Sequence, residues 1–138
     1  MNEEPLSVQG GCHCGAVRFR ARIEVPAQGP LVAHACNCSM CRAVGFQHLI
    51  VPAADFELLA GEGDLSCYTF NTGVAKHYFC RHCGVKSFYV PRSNPDGYSI
   101  NLRCLDEIPA GVVVEPFDGQ NWEQNAGALA HLSKKENR

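Results

Sequence analysis

The chain has 138 residues, enough for one domain with its own core, with 46% hydrophobic residues and a formal net charge of −2. That near-neutral balance excludes a general polyanion binder, which needs a basic stripe to release counterions, so no nucleic-acid partner is expected. No stretch reaches the roughly 18 apolar residues of a membrane span, so no membrane partner is expected either.

The opening residues MNEEPLSVQG are acidic and lack the apolar core of a secretion signal, which points to the cytoplasm and to reduced thiols. In that setting the 9 cysteines read as metal ligands or reactive thiols rather than as disulfides, and their odd number leaves any full pairing one short.

In chain order, CHCG comes first. Cys12 and Cys14 stand at i and i+2, and in an extended segment both thiols point to one side, so they can share a metal. AVRFRARIEV (residues 16–25) then alternates without a break, with Val17, Phe19, Ala21, Ile23 and Val25 on one face and Arg18, Arg20, Arg22 and Glu24 on the other. That predicts a half-buried strand whose arginines form its wet face. LVAHAC follows and runs into HACNCSMCRAVG, where Cys36, Cys38 and Cys41 crowd together. FQHLIV, LSCYTF, KHYFC, VKSFYV, YSINLRC and GVVVEPF are further short apolar runs, separated by punctuation such as PAQGP, GEGD, NTG and SNPDG. SNPDG fits a type I turn, with Pro95 after Asn94 and Gly97 closing it. Only NWEQNAGALAHLSKK near the end suits a short helix, and Gly127 weakens it. The pattern predicts a single domain that is mostly β.

The clustered cysteines divide into four and three. CHCG and CRHCG (Cys80, Cys83) together supply four thiolates, the ligand set of a closed tetrahedral zinc site. Gly84 can take the positive φ that closes the knuckle behind Cys83. Cys36, Cys38 and Cys41 offer three ligands and a vacant fourth position, the arrangement of a catalytic zinc. An iron–sulfur cluster is the rival occupant, although the spacing matches neither common ferredoxin pattern. Zinc with three thiolates is already net negative and a weak Lewis acid, so its open position suits an incoming thiol better than an activated water.

GGCHCGAVRF, CNCSMCR and FCRHCG, in this order, resemble the glutathione-dependent formaldehyde-activating family, which includes centromere protein V. The resemblance runs over residues 8–122 as one zinc domain, with 1–7 and 123–138 as terminal extensions. It implies a zinc-stapled complex β fold related to methionine-R-sulfoxide reductases. It also implies two zinc ions per chain, a structural one on Cys12, Cys14, Cys80 and Cys83 and a catalytic one on Cys36, Cys38 and Cys41. The implied activity is addition of glutathione, or a similar thiol, to formaldehyde or another small aldehyde, a carbon–sulfur lyase-type reaction. Two alternatives stay open: a non-catalytic module that binds zinc or a thiol adduct, and a thiol redox enzyme using Cys104.

Other residues carry weaker signals. Arg42, directly after Cys41, can offset negative charge or grip a substrate carboxylate, and Arg92 is a second such cation. His48 is a candidate proton donor or fourth ligand, set against a strand histidine satisfied by its neighbours. His13 and His82 fall between ligands and are expected to point outward. Cys67 reads as a buried, inert strand thiol. Cys104 reads as a core or edge cysteine, with a reactive thiol or fourth ligand as the alternative. Trp122 reads as packing or pocket wall.

Overall fold

The computed structural model describes residues 5–26, 28–70 and 73–118. Ten strands and one α-helix follow one another as β1 (Leu6–Gly11), β2 (Arg18–Ile23), β3 (Val32–Cys36), α1 (Ser39–Val44), β4 (Gln47–Pro52), β5 (Phe56–Ala60), β6 (Leu65–Tyr68), β7 (His77–Cys80), β8 (Phe88–Tyr89), β9 (Gly97–Asn101) and β10 (Val113–Phe117). They form a three-stranded sheet in the order β1-β2-β5, a five-stranded sheet in the order β10-β3-β4-β9-β8, and a two-stranded ribbon of β6 and β7. No helix among the described residues is long and apolar enough to cross a membrane. The mostly β expectation stands.

The alternation in residues 16–25 decides how the two larger sheets meet. Val17, Phe19, Ala21 and Ile23 are buried in the core with Ala33, Leu49, Val51, Phe88 and Ile100 of the five-stranded sheet. Phe19 and Phe56 stack at 5.6 Å between ring centroids, and Phe88 meets Phe19 edge-on at 6.2 Å. Such aromatic pairs add to the area they bury. The opposite face is wet, as expected, and its arginines are paired: Arg18 with Asp106, Arg20 with Glu57 and Arg22 with Asp55. Val25 lies beyond the strand and is exposed, so the alternation outlasts the pairing.

The Gly97 amide donates to the Asn94 carbonyl at 3.1 Å, closing the expected turn through Pro95. Two strands were not among the predicted runs. β1 carries two glycines in LSVQGG, and β5 is an edge strand, FELLA, with mixed burial. Both are held by pairing to β2 rather than by a pattern of their own.

The helix expected in NWEQNAGALAHLSKK lies outside the described residues, as does Trp122. A helix the sequence pattern did not announce lies at the cysteine triplet. Cys38 caps its N-terminus, its sulfur accepting from the Cys41 amide, and the Gly45 amide returns to the Cys41 carbonyl at the other end. With six residues it is too short to display a helical period, and its capping group is a thiol rather than an ordinary cap residue.

Cys67 is a second correction. It is exposed, because β6 belongs to a two-stranded ribbon whose outer face nothing among the described residues covers, whereas the apolar run LSCYTF suggested a buried strand.

Candidate metal centres

Two clusters of thiols emerge, and they use all seven clustered cysteines. The sulfurs of Cys12, Cys14, Cys80 and Cys83 lie within 4.8 Å of one another, as do those of Cys36, Cys38 and Cys41. Each group can hold a metal ion. Among the described residues no further histidine, cysteine or carboxylate completes the triplet.

The four-thiol cluster is built from two turns. Cys12 follows β1, and its backbone is fixed by a bond from its own amide to the Val17 carbonyl at 3.1 Å. The Cys12 sulfur accepts from the Val17 amide at 3.3 Å. Cys80 ends β7, and the Gly84 amide donates to the Cys80 carbonyl at 2.8 Å with Gly84 at φ 77°. A side chain would be strained there, which is why the knuckle ends in glycine. The sulfurs of Cys12 and Cys14, and of Cys14 and Cys80, are each 3.7 Å apart. The cluster therefore joins the three-stranded sheet to the β6–β7 ribbon. His13 and His82 point outward as expected, and His82 pairs with Asp64 at 2.8 Å.

The triplet is gathered by a strand end and a helix start. Cys36 is the last residue of β3, Cys38 the cap of α1, and Cys41 lies in its first turn. The Cys36 sulfur accepts from the Cys38 amide at 3.5 Å, and the Cys38 sulfur from the Cys41 amide at 3.4 Å. Backbone donors aimed at sulfur favour its ionised form.

His48 stands against this triplet. Its Nε2 is 3.2 Å from Cys41 Sγ, and its Nδ1 is 2.8 Å from Ser99 Oγ. With Cys41 as thiolate, Nε2–H donates to sulfur and Nδ1 accepts from the Ser99 hydroxyl, which fixes the tautomer. Burial, reinforced by the charge of Lys86, lowers the His48 pKa to about 3, so its ring is neutral. Arg42 is exposed on α1 beside the triplet, and Arg92 is half-buried in the loop after β8. Cys104 is half-buried outside both clusters. Burial pushes its thiol up to about 11, and its sulfur faces the Lys86 carbonyl at 3.9 Å.

Sequence reasoning missed a second polar group near the triplet. Lys86 and His77, each only 4% exposed, are hydrogen-bonded from Nζ to Nδ1 at 2.7 Å. The bond depends on β7 and β8 lying side by side, held by the bridge between Lys76 and Val90. Nothing in KHYFC or VKSFYV announces that proximity. Only the presence of a lysine inside an apolar run could have drawn notice.

Comparison with known proteins agrees with this arrangement. Residues 7–123 match the family described as glutathione-dependent formaldehyde-activating enzyme. A protein of Halomonas elongata, provisionally named a glutathione-dependent formaldehyde-activating enzyme, is 32% identical over 86 residues. That alignment covers 56% of this chain and 52% of the relative, so the chain spans about half the length of the curated relative it matches. The crystal structure of a Rhodobacter sphaeroides protein is similar with a TM-score of 0.68 and 34% identity, covering 79% of this chain and 99% of that one. A match over most of the length, with both thiol clusters inside it, identifies the chain as a member of the glutathione-dependent formaldehyde-activating enzyme family.

Proposed function

We propose that the chain binds two zinc ions and joins a thiol such as glutathione to formaldehyde or another small aldehyde. Cys12, Cys14, Cys80 and Cys83 would hold a closed, structural zinc, and Cys36, Cys38 and Cys41 an open, catalytic one. The donor sets support zinc. A tetrahedral ion bonded to sulfur at about 2.3 Å spaces its sulfurs about 3.8 Å apart, and the separations of 3.7 Å in the four-thiol cluster fit that. At the triplet, hydrogen bonds with Cys36 and Cys41 pull Cys38 down to about 2, while the contacts with Cys36 and Cys38 push Cys41 far up. Thiols this close cannot all ionise without a cation among them.

The observation that carries the reading is the ligand count. Four thiols close one site, and the other has three among the described residues, in a chain whose family is named for glutathione and formaldehyde. When bound at the triplet, zinc supplies an open position where a thiol gives up its proton and stays nucleophilic. The chain's own residues orient that chemistry. His48, locked by Ser99, donates to the Cys41 sulfur and holds it in place. Arg42 is the cation we assign to a carboxylate of the thiol substrate. The reverse reaction breaks a carbon–sulfur bond, which makes this a carbon–sulfur lyase in class. Glutathione and reduced thiols go with a cytoplasmic setting. The redox alternative needs Cys104 as a nucleophile, and a half-buried thiol pushed up to about 11 is a poor one.

Exchange NMR with [13C]formaldehyde and glutathione tests the reading. Zinc-loaded protein is expected to accelerate interconversion of formaldehyde and its glutathione adduct, and Cys38→Ser to abolish the acceleration. A protein with both metals bound and no effect on that exchange is a binding module instead.

A further inference from the structure

We propose that the buried ammonium of Lys86 is the counter-charge of the cysteine triplet, and that it selects an anionic thiolate over a neutral guest as the fourth ligand there. The inference rests on the open-site reading above and adds a specificity-determining residue to it. Lys86 touches neither thiol nor aldehyde in this role. It is a positioning residue that acts through the charge of the centre.

Among the lysines and arginines of the described residues, Lys86 alone is buried, and no ion pair there includes it. Its Nζ donates to His77 Nδ1 at 2.7 Å and faces two rings, with centroids at 3.9 Å for Tyr89 and 5.1 Å for Phe46. Its backbone is pinned to β9, since Asn101 Nδ2 donates to the Lys86 carbonyl at 3.1 Å and the Asn101 amide to the Ser87 carbonyl at 2.9 Å. A buried ammonium is costly unless charge and hydrogen bonds compensate it. One neutral imidazole and two ring faces compensate it only in part.

The remaining charge lies at the triplet. The two rings that face Lys86 also pack on His48, at 4.6 Å for Phe46 and 5.5 Å for Tyr89, and His48 Nε2 is 3.2 Å from Cys41 Sγ. Phe46 is tied to α1 by its amide, which donates to the Cys41 carbonyl at 3.3 Å. Burial lowers the Lys86 pKa to about 8 and the thiolates of Cys41 and Cys38 pull it back up, so the group is mostly charged near neutrality. Phe46 and Tyr89 are both buried, so the opposite charges meet through side chains rather than through water. At equal distance, attraction at an effective dielectric constant of about 20 is about four times that in water at about 80. Arg42 is closer in sequence but exposed, where water and salt screen it.

The selectivity follows from charge. A divalent ion held by three thiolates carries one surplus negative charge, and a fourth thiolate raises the surplus to two. That added charge is repelled by the thiolates already present and attracted by Lys86. A neutral guest adds no charge and gains nothing from the lysine. The entering thiol gives its proton to solvent and binds through sulfur, so Lys86 favours its ionised form and takes part in no covalent step.

Protein with zinc on the four-thiol cluster and cobalt(II) on the triplet tests this. It is titrated with 2-mercaptoethanol, which has no carboxylate for Arg42 to grip, and separately with imidazole, a neutral guest. Visible absorption reports the fourth ligand, and in the wild type the thiol should give a four-sulfur spectrum. In Lys86→Met the thiol affinity should fall about tenfold or more while imidazole affinity changes by less than about threefold. Lys86→Arg should keep the wild-type preference for the thiol. Equal loss for both guests in Lys86→Met, or loss for neither, overturns the counter-charge and leaves the open site standing. A wild-type spectrum indifferent to both guests overturns the open-site reading, and the counter-charge with it. Should Lys86→Met fail to fold, the wild type still decides. With 15N-labelled lysine and zinc on both clusters, Lys86 Nζ should show an ammonium shift at pH 7, and a neutral amine there overturns the proposal.

Discussion

His77 shows how one buried side chain ties stability to pH. Burial, with the Lys86 charge second, lowers its pKa from 6.5 to about 4. The unfolded chain therefore binds a proton that the folded one refuses between those values. The stability linked to this residue is fully present above pH 6.5, declines as pH falls and is gone near pH 4, at about 1.4 kcal/mol per pH unit. Denaturant unfolding of zinc-loaded protein at pH 7 and pH 5 should show the loss, and His77→Gln should flatten it by about one proton. An unchanged slope in that variant would mean another group titrates. Ser99→Ala should cost about 1 kcal/mol, the usual worth of one hydrogen bond, while both metals stay bound, because the Tyr89 hydroxyl remains 3.4 Å from His48 Nδ1. Calorimetry with a metal assay checks both halves. At this scale the two thiol clusters were legible, because cysteine spacing is a local signal. Lys86 and His77 were not, since each is a single residue whose meaning comes from a partner on another strand.

Among the elements, the β6–β7 ribbon is the most dependent on its surroundings. A two-stranded hairpin is marginal alone, and this one leaves Tyr68 50% and Phe70 39% exposed. The thiols of Cys80 and Cys83 tie its end to the turn after β1. Chelating the metal should therefore release the ribbon before the five-stranded sheet. In hydrogen exchange, amides of β6 and β7 should lose protection at chelator concentrations that leave β4 and β9 protected. Simultaneous loss everywhere would contradict this. β2 was legible because its apolar face is unbroken. α1 was not, because fewer than two turns show no period, and its cap is a thiol that the reading had already assigned to metal. β6 misled for a related reason: an apolar run predicts burial only if something lies against its outer side.

For the molecule as a whole, the two thiol clusters should answer differently to the same chemistry. A structural zinc contributes on the order of 10–16 kcal/mol of apparent binding energy, against a domain stability of about 5–15 kcal/mol. Cys83→Ser should release the ribbon and lower the melting temperature sharply, and Cys38→Ser should give a protein with one metal fewer that melts close to the wild type. Elemental analysis and melting curves decide, and equal melting of the two variants would reverse the assignment. The division into four and three thiols was readable from the sequence, but how three sheets carry them was not, because β10 and β3 pair in parallel across most of the chain. That pairing has a consequence for how the site comes into being. Phe117 lies beside Cys36, and the Asn37 amide donates to the Phe117 carbonyl at 3.1 Å. On a ribosome adding about 5–20 residues per second, the thiols at 36–41 emerge several seconds before the strand that fixes their backbone. The cell must therefore keep three bare thiols reduced through that interval, and the final shape of the centre waits on the last strand described.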